Sequence, residues 1–581
     1  MMKRRTKRIL IFLFAAFLLL AIFAIVLGAL FGPPSIPDQA LLVLKIEGTI
    51  PEIEERGLIS ELIIPPRVTV YDYTQILRSA ASDERVMACL IRIRPIAEGW
   101  ATVSELRRAI AEFRNKSGKP VAAVLDVGTN REIYLASAAD RVFIAEEGTL
   151  LLGLRTEVPF VRGTLEKLRI EADFERVGEY KDGPEIFTQD TMSKPSREAL
   201  ESLVDSVYGE YKSTVVAGRP ECATQDVEAA FDRSLLGADD AVKFHLVDEK
   251  GYLQEAKKYL IDRVPGGEKI KAVSADDYRA ASRFGAKPSS KATFALLIAE
   301  GPIFLGSLEG GPFASRGIGS DSMVEEIEKI TKDPDIDAII LRIDSPGGSM
   351  LASDIIWSEL ERAQQNGKTL YVSMGDTAAS GGYYIAMGAR HIVAEPNTIT
   401  GSIGIYAGKF DLSGFYDWLG INHVPIQRGE NAGFLSSVGS FTSKQREILR
   451  EELESAYKTF VRKAAQGRSM LPEDMEKVAQ GRVWSGSDAV TLGLVDELGG
   501  IETAIAAAKK DLGLLRDEEV RLVIYPRPEG FWATLRSAET SDVESQLPSS
   551  MVRALQWVRT LEKLQQEPLL ALWPEGLNLD L

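Results

Sequence analysis

The sequence predicts an α/β protein made of two tandem domains behind one amino-terminal transmembrane helix. Three observations lead to this fold class. An apolar run follows a basic amino terminus, long stretches recur at a spacing of roughly 250 residues, and each copy alternates short apolar strands with helical segments. At 581 residues the chain is also too long for one ordinary core, so two or more domains are expected.

The amino terminus predicts a membrane anchor. Residues 1–8 are rich in Lys and Arg, and the apolar run over residues 9–31 is about long enough to cross a hydrocarbon core of about 30 Å. The basic segment should stay in the cytoplasm, which places the rest of the chain on the opposite face of the membrane. A cleaved secretory signal is the alternative, although its apolar region is normally only about 7 to 15 residues long.

Six stretches recur in the same order in the two halves of the chain. The first pair is ALLVLKIEGTI from Ala40 and ALLIAEGPI from Ala295, and the last pair is GADDAVKFHLVDEKG from Gly237 and GSDAVTLGLVDELGG from Gly486. Repeated strand and helix units of this kind indicate a mainly parallel sheet in each copy. We predict a first domain at 40–263, a linker at 264–292, a second domain at 293–514 and a tail at 515–581.

Composition narrows the classes of function. The formal charge of -16 disfavours nucleic acid as a partner, because phosphate contacts need clustered Lys and Arg. The two cysteines, Cys89 and Cys222, are too few for a disulfide framework or a thiolate metal site. The sequence carries no metal or nucleotide motif, so we predict that no cofactor or metal is required.

A serine in the second copy is a candidate nucleophile. Three glycine-containing turns follow predicted strands there, with the sequences DSPGGS, AASGGYY and TGSIGIY. Ser380 of AASGGYY should lie exposed at a tight turn that opens a helix, with the adjacent backbone N–H of Gly381 free to receive an oxyanion. Gly347 or Gly348 of DSPGGS could supply the opposing N–H donor. A Ser-Gly-Gly turn by itself is weak evidence, since most such turns are only turns.

Comparison of the copies strengthens this interpretation and adds a base. The alignment places Arg131 of the first copy opposite Ser380, and the first copy has IRPIAEGW in place of the glycine turn. Conversely, RVGEYKDGPEIF of the first copy carries Lys181, whereas the matching stretch of the second places Ala432 or a neighbour there. A single lysine is nearly always a solvated surface residue. The complementary losses predict that one copy keeps the nucleophile and the other the base.

The motifs DSPGGS, AASGGYYIA, TGSIGIY and VGEYKDGPE, spread over two copies behind an anchor, resemble the long, two-domain form of signal peptide peptidase A. The resemblance extends from Leu41 to about Leu514. It implies a ClpP and crotonase type of fold in each domain and a Ser/Lys dyad formed by Ser380 and Lys181. It also implies that Ser402 of TGSIGIY orients the lysine amine, and that the oxyanion donors are the N–H groups of Gly381 and of Gly347 or Gly348.

The same resemblance implies a place and a partner. A member of this family would be a homotetramer in the bacterial inner membrane, with one span at 9–31 in the bilayer and its catalytic domains on the periplasmic side. Its substrates would be apolar peptides, in particular signal peptides left in the membrane after precursor processing. An extended peptide of this kind needs an apolar groove with edge-strand hydrogen bonding, which a sheet can provide.

The proposed dyad makes a chemical demand on the fold. Lys181 must be neutral to take a proton from Ser380, yet the ordinary pKa of lysine is about 10.4, so burial must lower it. Activity should then rise toward alkaline pH without a histidine titration. The only histidines, His245, His391 and His423, are expected to be structural.

Two other functions compete with a signal peptide peptidase. Acyl-thioester chemistry of the crotonase type shares the fold and the oxyanion turns, but it would need an adenine-nucleotide pocket and would not explain a membrane anchor. A catalytically silent scaffold that binds membrane peptides is the other alternative. The joint retention of Ser380, Lys181 and Ser402 argues against such a scaffold.

Overall fold

Over the residues that the structure describes, the chain forms three β-sheets with seven, six and eight strands. The computed structural model describes residues 35–53, 67–285, 290–307, 317–526 and 570–572. The predicted anchor at 9–31 lies outside these ranges, and so does the segment MVRALQWVRTLEKLQ of the predicted tail, whose apolar residues recur at helical spacing. Within them, no helix is both long and apolar enough to cross a membrane.

Strands and helices are numbered in chain order over the described residues. The strands are β1 (Ala40–Gly48), β2 (Val86–Ile96), β3 (Val121–Gly128), β4 (Arg141–Leu151), β5 (Glu171–Val177), β6 (Leu235–Gly237), β7 (Glu249–Lys250), β8 (Lys271–Ser274), β9 (Thr293–Glu300), β10 (Ile303–Phe304), β11 (Ile318–Gly319), β12 (Ala338–Ser345), β13 (Gly347–Ser349), β14 (Thr369–Ala379), β15 (His391–Ala394), β16 (Ile399–Gly401), β17 (Ile405–Asp411), β18 (Val483–Ser485), β19 (Glu497–Leu498), β20 (Arg521–Tyr525) and β21 (Leu570–Leu572). The helices are α1 (Val70–Ser82), α2 (Trp100–Ser117), α3 (Asn130–Ala136), α4 (Arg162–Lys167), α5 (Glu185–Thr188), α6 (Lys194–Gly218), α7 (Thr224–Arg233), α8 (Ala238–Lys243), α9 (Leu253–Ile261), α10 (Ala275–Gly285), α11 (Ser320–Lys332), α12 (Met350–Gln365), α13 (Gly381–Ala386), α14 (Ser413–Leu419), α15 (Ser443–Gly467), α16 (Pro472–Val478), α17 (Gly486–Thr491) and α18 (Ile501–Asp511).

The first and third sheets have matching topologies, one in each copy. The first has the order β6-β4-β3-β2-β1-β8 with β7 beside β4, and the third has the order β18-β16-β14-β12-β9-β20 with β15 beside β14 and β19 beside β15. Within each sheet all pairs are parallel except the one made by β6 or by β18. The α/β class and the mainly parallel sheets predicted from the repeat are therefore confirmed.

The domain bounds stay a prediction, and two strands lie beyond them. β8 falls within the predicted linker and pairs with β1, while β20 falls within the predicted tail and pairs with β9. Both are short edge strands, and the polar, charged surroundings of β8 carry little of the apolar periodicity by which strands are recognised.

Each of these two sheets is covered by helices on both faces, as parallel sheets require. In the first copy, α1, α2 and α6 pack on one face of the sheet and α9 on the other. In the second copy, α11, α12 and α15 pack on one face and α18 on the other. The strands between them are continuous apolar runs with little exposure, and Cys89 in β2 is a fully buried free cysteine.

The repeat alignment is off by a position or two at the nucleophile. In the second copy Ser380 precedes α13, and in the first copy the residue that precedes the matching helix α3 is Thr129. Arg131, predicted to lie opposite Ser380, lies inside α3 instead. One residue separates the strand from the helix in each copy, but β14 has 11 residues and β3 has 8, so a gapless alignment cannot keep the register there.

A buried ion cluster joins the two copies. Arg342 on β12 is fully buried, and its Nε and Nη2 atoms donate to Oε1 of Glu52 at 3.0 and 2.6 Å. Its Nη2 also lies 3.0 Å from Oε2 of Glu105 on α2. Both carboxylates belong to the first copy, so this one guanidinium neutralises charges across the junction on which a shared site depends.

We expect Arg342→Ala to destabilise the chain by about 3–5 kcal/mol, because it leaves two buried carboxylates without their counter-charge. Urea unfolding followed by circular dichroism measures the change. Arg78→Ala is the matched control, since the Arg78–Glu502 pair also joins the copies but is exposed to solvent. An exposed pair should contribute less than about 1 kcal/mol. Equal losses in the two variants would contradict the importance of the buried cluster.

Candidate active site

The six-stranded middle sheet brings residues of both copies to one place. Its order is β11-β10-β13-β21-β17-β5, in which β5 comes from the first copy. β5 and β17 are antiparallel over seven residue pairs, from Val177 opposite Ile405 to Glu171 opposite Asp411. Because of this pairing, the residues that follow β5, among them Lys181, lie against the second copy.

Ser380 lies between a strand and a helix, as predicted. β14 ends at Ala379, α13 begins at Gly381, and Ser380 between them has φ 56 and ψ -112. A non-glycine residue at positive φ costs free energy and persists only where its surroundings fix it. Here its backbone N–H donates to the carbonyl oxygen of Gly401 at 2.8 Å. The side chain was expected to be exposed; Ser380 is fully buried instead.

Ser402 lies beside Ser380 because their strands are neighbours. β16 is parallel to β14, with Gly401 opposite Ala379. Ser402 directly follows Gly401 and Ser380 directly follows Ala379, so the two serines are neighbours. Ser402 also has a positive φ, 53°, and its N–H donates to the carbonyl oxygen of Arg482 at 2.7 Å. It is fully buried.

Lys181 reaches both serines from the first copy. Its Nζ atom lies 2.7 Å from Oγ of Ser380, 2.9 Å from Oγ of Ser402 and 3.1 Å from the carbonyl oxygen of Ser402. The structure thus brings together the three side chains that the sequence motifs predicted, although Lys181 and Ser380 are far apart along the chain.

Burial determines the proton affinity of Lys181. The side chain is 2% exposed, and this burial lowers the pKa of Lys181 to about 7, against a smaller opposing effect of the neighbouring Asp182. The pKa of Asp182 is itself raised to about 6, chiefly by burial and then by the charge of Glu185. Near neutral pH a substantial fraction of Lys181 is therefore unprotonated and able to accept a proton.

Several residues that hold Lys181 were not predicted from the sequence. Gly481, at φ 77, faces the lysine so closely that a Cβ there would lie 2.5 Å from Cβ of Lys181. Nη1 of Arg176 donates to the carbonyl oxygen of Lys181 at 3.0 Å, and the N–H of Tyr180 donates to the carbonyl oxygen of Gln480 at 2.8 Å. Asp182 had a signal, its adjacency to Lys181 in the sequence; Gly481 had none, because only the fold brings it there.

Of the predicted oxyanion glycines, Gly381 directly follows the serine in the chain. Gly381 is the first residue of α13, and an N–H in the first turn of a helix has no acceptor within that helix. The N–H of Gly347 donates to Oγ of Ser345 at 3.2 Å. At Gly348 a Cβ would lie 2.1 Å from the carbonyl oxygen of Ile303, so only glycine fits there. The choice between Gly347 and Gly348 stays open.

Histidine takes no part in this cluster. Nε2 of His391 lies 3.2 Å from Glu497, Nδ1 of His245 lies 3.5 Å from Asp226, and the ring of His423 packs on Tyr416. In the described ranges no group of three or more His, Cys, Asp and Glu is arranged to hold a metal ion. A serine hydroxyl within hydrogen-bond reach of an amine that is partly neutral near pH 7 is equipped for nucleophilic acyl transfer.

Two segments of the chain match the model of peptidase family S49, residues 113–264 and residues 362–515. These segments correspond to the two copies. The family match therefore covers the elements that carry Lys181 and Ser402, together with the Ser380 turn.

Relatives match along most of the chain. The chloroplastic serine protease SPPA of Arabidopsis thaliana is 32% identical over 560 residues, which is 94% of this chain and 79% of that protein. Protease 4 of Salmonella typhi is 30% identical over 511 residues, which is 84% of this chain and 80% of that protein. Both alignments are long enough to include the two copies.

Among solved structures, a ClpP1 mutant from Listeria monocytogenes covers 35% of this chain and 90% of its own, at 17% identity and a TM-score of 0.23. A likeness at this score carries no argument about the fold. The ClpP and crotonase type of fold therefore stays a prediction.

Proposed function

Since the chain belongs to peptidase family S49, as a serine protease of the long, tandem signal peptide peptidase A type, we propose that Ser380 is its nucleophile and Lys181 its general base. The observation that carries this proposal is the 2.7 Å contact between Nζ of Lys181 and Oγ of Ser380, made across the two copies. Burial of the lysine supports the same assignment, because it lowers the pKa of Lys181 to about 7.

In the proposed reaction, neutral Lys181 takes the proton of Ser380 as Oγ attacks the carbonyl carbon of the scissile peptide bond. The N–H of Gly381 and that of Gly347 or Gly348 stabilise the oxyanion that forms. The protonated lysine then donates to the departing amine, which leaves an acyl ester on Ser380. Water hydrolyses that ester with Lys181 again as the base, and the free enzyme returns.

We propose apolar peptides as the substrates, and signal peptides left in the membrane as the natural ones. The proposal includes an anchor at 9–31, the extracytoplasmic side of a bacterial inner membrane as the place of the catalytic domains, and a homotetramer as the assembled form. The resemblance to signal peptide peptidase A supports all of these. The sharing of one site between two copies supports a compact catalytic unit in which neither copy is active alone.

The test is hydrolysis of a fluorogenic apolar peptide and of a synthetic signal peptide in detergent micelles by the full chain. Wild type and His391→Ala should cleave both substrates, and Ser380→Ala should cleave neither. Binding of the signal peptide without cleavage by wild type would favour the silent scaffold. Hydrolysis of an acyl-thioester in preference to both peptides would favour crotonase-type chemistry.

We expect Ser402→Ala to lower kcat by about 10- to 100-fold with little change in KM. Oγ of Ser402 lies 2.9 Å from Nζ of Lys181. Without this contact the amine can move away from Ser380, which slows proton transfer but leaves substrate binding unchanged. Steady-state kinetics on the fluorogenic peptide separates the two constants. An unchanged kcat, or a change confined to KM, would contradict an orienting role.

We expect Asp182→Asn to move the acidic limb of the pH–rate profile to lower pH. The negative charge of Asp182 favours protonated Lys181, so its removal lowers the pKa of the lysine further. Glu179→Gln is the matched control, because Glu179 is two residues away from Lys181 and exposed. That variant should keep the wild-type profile. A shift of Asp182→Asn to higher pH would contradict the electrostatic effect of Asp182.

A further inference from the structure

A short strand from the tail fills a gap in the middle sheet. β21 (Leu570–Leu572) lies between β13 and β17 and is antiparallel to both. No other strand of the described residues joins β13 to β17. Without β21 the sheet would divide into β11-β10-β13 and β17-β5, and each part would present an unpaired edge. Such an edge is where an extended peptide adds as a further strand.

Both walls of this gap lead to the candidate active site. β13 begins at Gly347, one of the two candidate oxyanion glycines, and β17 begins three residues after Ser402. On the far side of β17, β5 ends four residues before Lys181. An extended chain in the gap therefore runs alongside the groups that we propose to cleave it.

The register gives the tail the orientation of a substrate. Ser349 lies opposite Leu570, Gly348 opposite Ala571 and Gly347 opposite Leu572. The tail thus runs from the far end of β13 toward the oxyanion turn, and Leu572 is the residue that reaches it. A substrate segment on the acyl side of a scissile bond needs this direction, because its last carbonyl must meet the oxyanion donors.

The reacting groups are closed off in this state. Ser380 and Ser402 are fully buried and Lys181 is 2% exposed. A serine that must attack an incoming peptide needs a route for that peptide, so the form with β21 in place is a closed one. The sequence Leu-Ala-Leu is also apolar, which is the class of peptide that we propose as substrate.

We infer that Leu570–Leu572 is an intramolecular inhibitor that occupies the peptide-binding groove between β13 and β17 and must leave before a substrate can bind. The inference rests on the proposed function, which makes this groove the substrate site. A tethered segment competes at an effective concentration on the order of 1 mM, so even a weakly pairing strand raises the apparent KM. The tail leaves kcat unchanged, because the same enzyme–substrate complex forms once the tail has left the groove.

The test compares three proteins on the fluorogenic apolar peptide. One is the full wild-type chain, one is a shortened chain that ends at Gln566 and lacks β21, and the matched control is a shortened chain that ends at Leu572 and keeps it. Loss of β21 should lower KM about tenfold with kcat unchanged, and the control should behave as wild type. Ala571→Pro in the full chain should act like the loss of β21, because proline removes the N–H of a central strand position.

Hydrogen exchange supplies a readout that does not need activity. The amides of Gly347–Ser349 should exchange faster in the form that ends at Gln566 than in wild type or in the control. Equal KM values and equal exchange in all forms would overturn the inference while leaving the proposed function intact. If no form cleaves the peptide, the proposed function fails, and the exchange rates alone decide whether the tail pairs with β13.

Discussion

Lys181→Met should lower kcat/KM by about 10⁴-fold, and Ser380→Ala should lower it to the same extent. Methionine fills the space of the lysine stem but cannot accept a proton, so Ser380 is left without a base. The double variant should be no worse than either single one, because nucleophile and base act in one step. Peptide hydrolysis measured under identical conditions for the three variants checks both statements.

A measurement of the stability of Lys181→Met distinguishes a loss of the base from a loss of folding. The pKa of Lys181 falls on folding from its ordinary value to about 7. At any pH below the ordinary value, the unfolded chain therefore binds a proton on this lysine more strongly than the folded chain does, which favours unfolding. Its burial therefore costs stability at neutral pH, and Lys181→Met should be more stable than wild type by roughly 1–4 kcal/mol at pH 7.

Lys167→Met is the matched control for this substitution, because Lys167 is an exposed lysine of the same copy. It should keep both the wild-type activity and the wild-type stability. Full activity in Lys181→Met would remove the base from the mechanism, and a large loss of stability would show that the lysine serves mainly to hold the two copies together.

The activity should fall tenfold for each pH unit below about 7 and level off above it. Only neutral Lys181 can accept the proton of Ser380, and burial places the midpoint of that change at about pH 7. At pH 5 the value of kcat/KM should therefore be about 100-fold below its plateau. A peptide with blocked termini and no ionisable side chain keeps the substrate from contributing to the profile.

A histidine would titrate in nearly the same range, so the profile needs a control. His391→Ala and His245→Ala should both retain the wild-type midpoint, since neither ring contacts the serines or the lysine among the described residues. A profile that is flat from pH 5 to pH 9, or a midpoint that moves in a histidine variant, would contradict a lysine base.

The comparison of the two copies explains why so much could be read from the sequence. Strand and helix periodicity predicted the paired α/β architecture, and an absent serine in one copy with an absent lysine in the other selected Ser380 and Lys181. Ser402 and the glycines came from the resemblance of short motifs. Lys181 reaches the two serines because β5 joins the middle sheet, and no local pattern predicts that sheet because it combines strands of both copies.

What the sequence did not predict depends on contacts between distant segments. Gly481 and Arg176 hold the lysine through packing and a backbone hydrogen bond, and neither interaction leaves a local pattern. The burial of Ser380 was unexpected, because a tight turn predicts exposure only when nothing else packs on it. β21 has three residues, too few for strand periodicity to be recognised.

Covalent labelling of the nucleophile tests the central claim most directly. The full chain is treated at pH 8 with a serine-reactive acylating probe and digested, and the modified peptide is identified by mass spectrometry. We predict one adduct, on Ser380, in wild type, and its loss in Lys181→Met, because the hydroxyl reacts only when the lysine takes its proton. An adduct on a different residue, or labelling of Lys181→Met at the wild-type rate, would contradict a dyad shared between the two copies.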